Sequence, residues 1–194
     1  MSLQLASQGV YWSVQGEGHL AGVPMIFVRL AGCSVGCPQC DTNYRHHTTS
    51  TEEEIVDRCI ALREETRRGE YVWVTGGEPT DQDLSGLRSL LWRNDFKPCL
   101  ATSGIRPVDG SWWVLSVSPH SSSFAQRAGS ELKLVLGLNG LKFTDIDLST
   151  VEFAYKFVQP LAGDRASVGE CLSALKSRKD LMMSPQYHKE WMLP

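Results

Sequence analysis

The sequence predicts an α/β fold: an abridged, partial parallel β/α barrel with its active site at the C-terminal ends of the strands. Three observations point there. Short, branched apolar runs read as buried strands, segments with apolar residues at helical spacing fall between them, and the chemically unusual patches all lie just past a strand. In parallel α/β architectures that end of the sheet is where ligands bind. A length of 194 residues, with no internal repeat, low-complexity tract or linker, fits one domain over 1–194.

The first strand is MIFVRL, residues 25–30, and GCSVGCPQCDT follows it directly. Thr51 and Glu54 form a capping box, after which Ile55, Cys59 and Leu62 recur at helical spacing in a helix ending near Gly69. YVWVT at 71–75 is the next strand, stopped by Gly76-Gly77, and Leu84, Leu87 and Leu91 mark one face of the helix behind it. Further strands are expected at CLAT (99–102), WWVLSV (112–117), LKLVL (132–136), FAYKFV (153–158) and LMM (181–183). A helix with Val168, Cys171, Leu172 and Leu175 in register precedes the last. The link between CLAT and WWVLSV is too short and too rich in Gly and Pro for a full crossover helix, which is why the barrel is read as abridged. If WWVLSV is a strand throughout, Trp112 and Trp113 point to opposite faces and at least one is core.

Composition removes several classes. No apolar run approaches the ~18 to 20 residues that cross a bilayer, and MSLQLASQGV has neither the basic nor the apolar region of a secretory signal. A cytoplasmic protein without membrane contact is expected. A net charge of -3 lacks the basic footprint of a protein that grips phosphate backbones, so a small-molecule or protein partner fits better than nucleic acid. Six cysteines could pair in an extracellular scaffold, but three of them crowd into eight positions, which favours a reducing compartment and a metal. Cys59, Cys99 and Cys171 sit among apolar neighbours and read as buried structural thiols.

Cys33, Cys37 and Cys40 have the spacing C-x3-C-x2-C. Three thiolates are one short of a closed zinc tetrahedron, which His46 or His47 could complete. The same three can hold a cubic 4Fe-4S cluster by three irons and leave the fourth open. That spacing, with Gly76-Gly77-Glu78-Pro79 directly after the second strand, resembles the radical S-adenosylmethionine (SAM) superfamily. The resemblance implies SAM on the open iron, reductive cleavage to a 5'-deoxyadenosyl radical, and a fold of the radical SAM type.

A narrower likeness runs along the chain. VQGEG at 14–18, Gly22 to Pro24, FVRL at 27–30, Ser118-Pro119, ELKLV at 131–135, VQPL at 158–161 and SPQYHK at 184–189 together resemble the 7-carboxy-7-deazaguanine synthase family of queuosine and deazapurine biosynthesis. The resemblance implies a lyase reaction in which 6-carboxy-5,6,7,8-tetrahydropterin becomes 7-carboxy-7-deazaguanine with loss of ammonia, SAM being regenerated and Mg2+ assisting. It assigns the cluster to Cys33, Cys37 and Cys40, Mg2+ to Thr42, and SAM contacts to Gln39, Gly77, Ser103, Ser118, His120 and Gln159. For the substrate it implies Gln15, the backbone of Val14 and Gly16, Glu17, Thr75 and the terminal carboxylate of Pro194. Arg29 suits the pterin carboxylate because a guanidinium can grip it with two parallel hydrogen bonds. Glu17 could equally decorate a turn. A flavodoxin or ferredoxin as electron donor and a homodimer are also implied.

Three positions depart from the family pattern: Gln39 replaces an aromatic residue, His120 a lysine, and Ala101 an acid. No cluster ligand is lost. The rival readings are a glycyl-radical activase for anaerobic ribonucleotide reductase, and a non-enzymatic zinc or iron-sulfur module. The activase shares the cysteine spacing but has no use for VQGEG or Arg29.

Overall fold

A computed structural model of the chain describes residues 1–40, 42–45 and 47–193. Pro194 and His46 therefore lie outside the described residues.

One nine-stranded sheet runs through the molecule. Its strands are β1 (Ser2–Val14), β2 (Pro24–Leu30), β3 (His47–Thr51), β4 (Tyr71–Gly76), β5 (Lys97–Thr102), β6 (Val114–Val117), β7 (Ala128–Leu136), β8 (Glu152–Pro160) and β9 (Met182–Met183). They lie in the order β3-β1-β2-β4-β5-β6-β7-β8-β9. From β2 to β9 all pairs are parallel, while β1 pairs antiparallel with both β2 and β3. The parallel-rich α/β sheet is as expected, and it is open: β3 and β9 form its two edges, and they do not pair with each other. An antiparallel pair at one edge and a two-residue strand at the other leave no ladder with which to close.

The described residues form four α-helices: α1 (Glu52–Thr66), α2 (Ser85–Arg93), α3 (Arg165–Ser177) and the short α4 (Tyr187–Glu190). The Thr51 cap is as the sequence predicts, with Glu54 N–H donating to the Thr51 hydroxyl at 3.2 Å and Thr51 N–H to the Glu54 carboxylate at 2.8 Å. Ile26, Val28 and Leu30 of β2, with Val72 and Val74 of β4, pack against Ile55, Cys59 and Leu62 of α1 and Leu87 and Leu91 of α2. A second core joins Leu132, Leu134 and Leu136 of β7 to Cys171 and Ala174 of α3. Because strand side chains alternate, the intervening residues face the other way. Met25, Phe27, Trp73 and Cys99 form a third cluster on that face.

Three details differ from the sequence reading. β1 was not foreseen, since Leu3 and Leu5 are separated from the Val10–Val14 stretch by a register shift around Gly9, whose φ is +57°. Trp112 and Trp113 precede β6, and Trp113 lies 49% exposed against Lys97 and Trp92. On α3 the inward stripe runs through Ser167, Cys171 and Ala174, whereas Val168 and Leu172 face outward. Cys59, Cys99 and Cys171 are buried free thiols, as expected. No helix among the described residues is long and apolar enough to cross a membrane.

Candidate active site

The strand face turned away from α1, α2 and α3 carries the polar residues, and it does so near the C-terminal strand ends. Arg29 of β2, Thr75 of β4, Ala101 of β5, Lys133 of β7 and Gln159 of β8 line two adjoining cavities there. Arg29 and Thr75 are direct partners across the parallel β2–β4 ladder.

The cavity beside the cysteine loop has a volume of about 220 Å³. Cys33, Cys37, Cys40, Gln39, Gly77, Ser103, Ser118, His120 and Gln159 all border it, so the cysteines and every residue assigned to SAM from sequence share one wall system. The paired glycines are needed where β2 and β4 end. Gly76 has φ +125°, and a Cβ on Gly77 would fall 1.6 Å from the Gly32 carbonyl oxygen. Gly77 N–H donates to the Leu30 carbonyl at 3.0 Å and Glu78 N–H to that of Gly32 at 3.1 Å, so the cysteine loop is stitched backbone-to-backbone to the GGEP turn. Buried Glu78 then ties this turn to the end of β5, accepting from the Thr102 hydroxyl at 2.6 Å and from Ser103 N–H at 2.8 Å.

The three thiols are free and only partly covered. Burial raises the Cys37 thiol above its ordinary value, and His120 Nδ1 lies 2.6 Å from its sulfur. Burial also lowers His120, so its imidazole is neutral near pH 7, unlike the lysine it replaces. Among the described residues no three His, Cys, Asp or Glu side chains converge on one point as a single-ion site requires. A cubane could take each of the three thiolates on a different corner. The wall also carries an unsatisfied group: Gln159 is 1% exposed and its Oε1 has no protein donor among the described residues. Three thiols, an acceptor awaiting a donor and a turn stripped of Cβ atoms fit a cluster with a polar ligand beside it.

The neighbouring cavity, about 720 Å³, is bordered by Val14, Gln15, Gly16, Glu17, Arg29 and Thr75, with Thr42 at its junction with the first. Arg29 is held from two sides. Its Nε and Nη2 donate to the Tyr11 hydroxyl at 3.2 and 2.6 Å, and its Nη1 donates to the Thr42 hydroxyl at 3.2 Å. Tyr11 in turn stacks on Phe27, ring centroids 5.3 Å apart. Gln15 is buried, and its Oε1 accepts from Glu17 N–H at 3.2 Å, which shapes the turn.

Glu17 sits where the cavities meet. Its Oε1 accepts from Gln159 Nε2 and Gln186 Nε2, each at 3.0 Å, and its Oε2 pairs with the Lys133 ammonium. Burial opposes the charge, yet the lysine and the amide donors hold this carboxyl down at about 2. Glu17 is thus a half-buried, ionised group between two cavities. The segment after β9 closes over the same loop: Gly18 N–H donates to the Ser184 hydroxyl at 3.0 Å and Tyr187 N–H to the Gly16 carbonyl at 3.1 Å.

Sequence reasoning gave no role to Tyr11, Lys133 or Glu131. Lys133 and Glu131 had a visible signal, two charges alternating with leucines in ELKLV, which puts them on one face of β7 opposite the core. Glu131, 1% exposed, accepts from His19 N–H at 2.9 Å and anchors the loop behind Glu17.

No protein-family model matches the chain. The 7-carboxy-7-deazaguanine synthase of Synechocystis sp. is 34% identical over 134 residues, which cover 65% of this chain and 62% of the relative. That match thus spans about three fifths of the relative's length. The 7-carboxy-7-deazaguanine synthase of Buchnera aphidicola is 26% identical over 208 aligned positions, covering 93% of this chain and 94% of the relative. Among solved structures, the crystal structure of QueE from Escherichia coli superposes with a TM-score of 0.73 at 22% identity over 95% of this chain and 93% of that one, which establishes the fold. The relatives that the chain resembles in sequence thus carry the name 7-carboxy-7-deazaguanine synthase, and the superposition adds the fold.

Proposed function

We propose that this chain is a radical SAM lyase that converts 6-carboxy-5,6,7,8-tetrahydropterin to 7-carboxy-7-deazaguanine with loss of ammonia, supplying 7-deazapurines such as queuosine. One juxtaposition carries the reading: a cavity walled by three cysteines adjoins a second cavity lined by an arginine, a carboxylate and a buried amide. Its fold is then a radical SAM domain over 1–194, an abridged barrel left open at both edges.

Cys33, Cys37 and Cys40 would hold the 4Fe-4S cluster, with SAM among Gln39, Gly77, Ser103, Ser118, His120 and Gln159. When bound, cluster and SAM supply one-electron hydrogen abstraction, chemistry that belongs to the cofactors. The chain's own residues bind and orient. Arg29, pre-aimed by Tyr11, takes the pterin carboxylate with two parallel hydrogen bonds. Glu17, kept ionised, accepts from the N–H edge of the pterin ring, while Gln15, Thr75 and the backbone of Val14 and Gly16 serve its remaining polar atoms. The segment following Ser184 covers the loop and excludes water, while Pro194, also proposed for the substrate, lies outside the described residues.

Thr42 is the proposed protein ligand of Mg2+. Its hydroxyl already accepts from the Arg29 guanidinium, so the ion would sit close to a second cation. The substrate carboxylate between them offsets that repulsion, and Mg2+ is therefore expected to bind with substrate rather than before it. A flavodoxin or ferredoxin would deliver the electron to a cytoplasmic homodimer that touches neither membrane nor nucleic acid. An activase for ribonucleotide reductase would leave the Arg29 cavity without a purpose, and no observation favours it.

The test is turnover. Protein purified without oxygen and reconstituted with iron and sulfide should convert the carboxytetrahydropterin to the deazaguanine acid without net loss of SAM, read by product absorbance and mass. Arg29→Lys, which keeps the charge but loses the fork, should raise KM for the pterin roughly 10- to 100-fold. A cluster-loaded protein that leaves the pterin unchanged, or thiols that hold zinc instead, would overturn the assignment.

A further inference from the structure

Gln159 stands between the two cavities with its two amide ends in different circumstances. Its Nε2 donates to Glu17 Oε1 at 3.0 Å, and a carboxylate only accepts, so the amide orientation is forced rather than interchangeable. The carbonyl end, Oε1, is buried with no protein donor among the described residues. The residue is 1% exposed and lines the cysteine-side cavity, while Glu17 lines both. A buried carbonyl oxygen without a donor is costly, so a ligand hydroxyl or amine that reaches it from that cavity has a prepared acceptor.

We propose that Gln159 is a positioning residue that couples occupancy of the two cavities, which rests on the reading of them as SAM and pterin sites. The coupling follows from geometry. A pterin N–H edge on Glu17 fixes the carboxylate, the carboxylate fixes the Gln159 nitrogen, and the opposite end of the same rigid amide then presents its oxygen to the other cavity. Binding in that cavity orders Glu17 by the reverse path. Each ligand thus meets a side chain that the other has already ordered, and by thermodynamic linkage the factor is the same in both directions. Lys133 and Gln186 hold Glu17 from its remaining sides.

Equilibrium dialysis on reconstituted protein without reductant measures the coupling, because no turnover occurs and both ligands can be titrated. In the wild-type protein, saturating pterin should tighten SAM binding on the order of 10-fold, and saturating SAM should tighten pterin binding equally. Gln159→Met, similar in size but without either polar end, should bring the factor close to one. Glu17→Gln approaches from the other end: an amide at 17 no longer forces the Gln159 orientation, so coupling should be lost there too while SAM alone binds within a few-fold of wild type. Binding of both ligands with no mutual effect, or full coupling in a folded Gln159→Met, overturns this proposal alone. Failure of the wild-type protein to bind pterin or SAM overturns it together with the reading beneath it.

Discussion

A carboxylate surrounded by a lysine and two glutamines, as Glu17 is, ties stability to pH in a definite direction. Its folded-state value of about 2 lies below the ordinary 4.5, so folding favours the ionised form. The resulting stabilisation is complete above pH 4.5 and is lost as pH falls from there towards 2. Glu17→Gln removes the charge that folding stabilises and should cost about 3 kcal/mol at pH 7. Urea denaturation across pH 7 to 2.5 checks this: the two proteins should converge as the wild-type carboxyl protonates, and a pH-independent gap would contradict it. None of this was legible around residue 17 itself. The groups that settle its charge are Lys133, Gln159 and Gln186, more than 100 positions away, and only sheet order brings them together.

Turns and helices divide by how local their causes are. The β2 and β4 runs, the Thr51 cap and the GGEP stop are written in consecutive residues, and each appears where the sequence puts it. β1 escaped because a bulge near Gly9 interrupts its alternation, and the α3 face was misplaced because Val168 and Leu172 look as apolar as the residues that are buried. Nor does composition reveal that Gly76-Gly77 serves the protein's own chain crossing before it serves any ligand. That distinction is testable with two alanines. Gly77→Ala drives a Cβ into the Gly32 carbonyl and should abolish the soluble native fold or lower Tm by more than ~10 °C. Gly169→Ala, at an exposed position of α3 with nothing within 4 Å of the new Cβ, should instead stabilise by about 0.5 to 1 kcal/mol. Thermal melts of both variants decide; a tolerated Gly77→Ala would mean that the loop–turn contact can yield.

Taken whole, the molecule brings its two ends together around the same loop. β1 delivers Gln15 to Gly18 to the cavity rim, and the segment after β9, reached only after the chain has crossed the entire sheet, returns to cover them. The contacts are specific: Ser184 with Gly18, Gln186 with Glu17, and Tyr187 with Gly16, where a Cβ on Gly16 would lie 2.6 Å from His188 Nδ1. α4 is a single turn and buries no side chain, so its order depends on this loop rather than on its own ladder. Opening of that cover is therefore expected to be local and low in free energy, which suits a site that must admit a ligand. Hydrogen exchange makes the dependence measurable. Pterin binding should slow amide exchange at Gly18 and at Tyr187 by the same factor, on the order of 10-fold or more, although the two are far apart in sequence, while α1 on the opposite face stays unchanged. Protection confined to the Gly18 loop would mean that the C-terminal segment does not close with it, and the cover would then be a static wall.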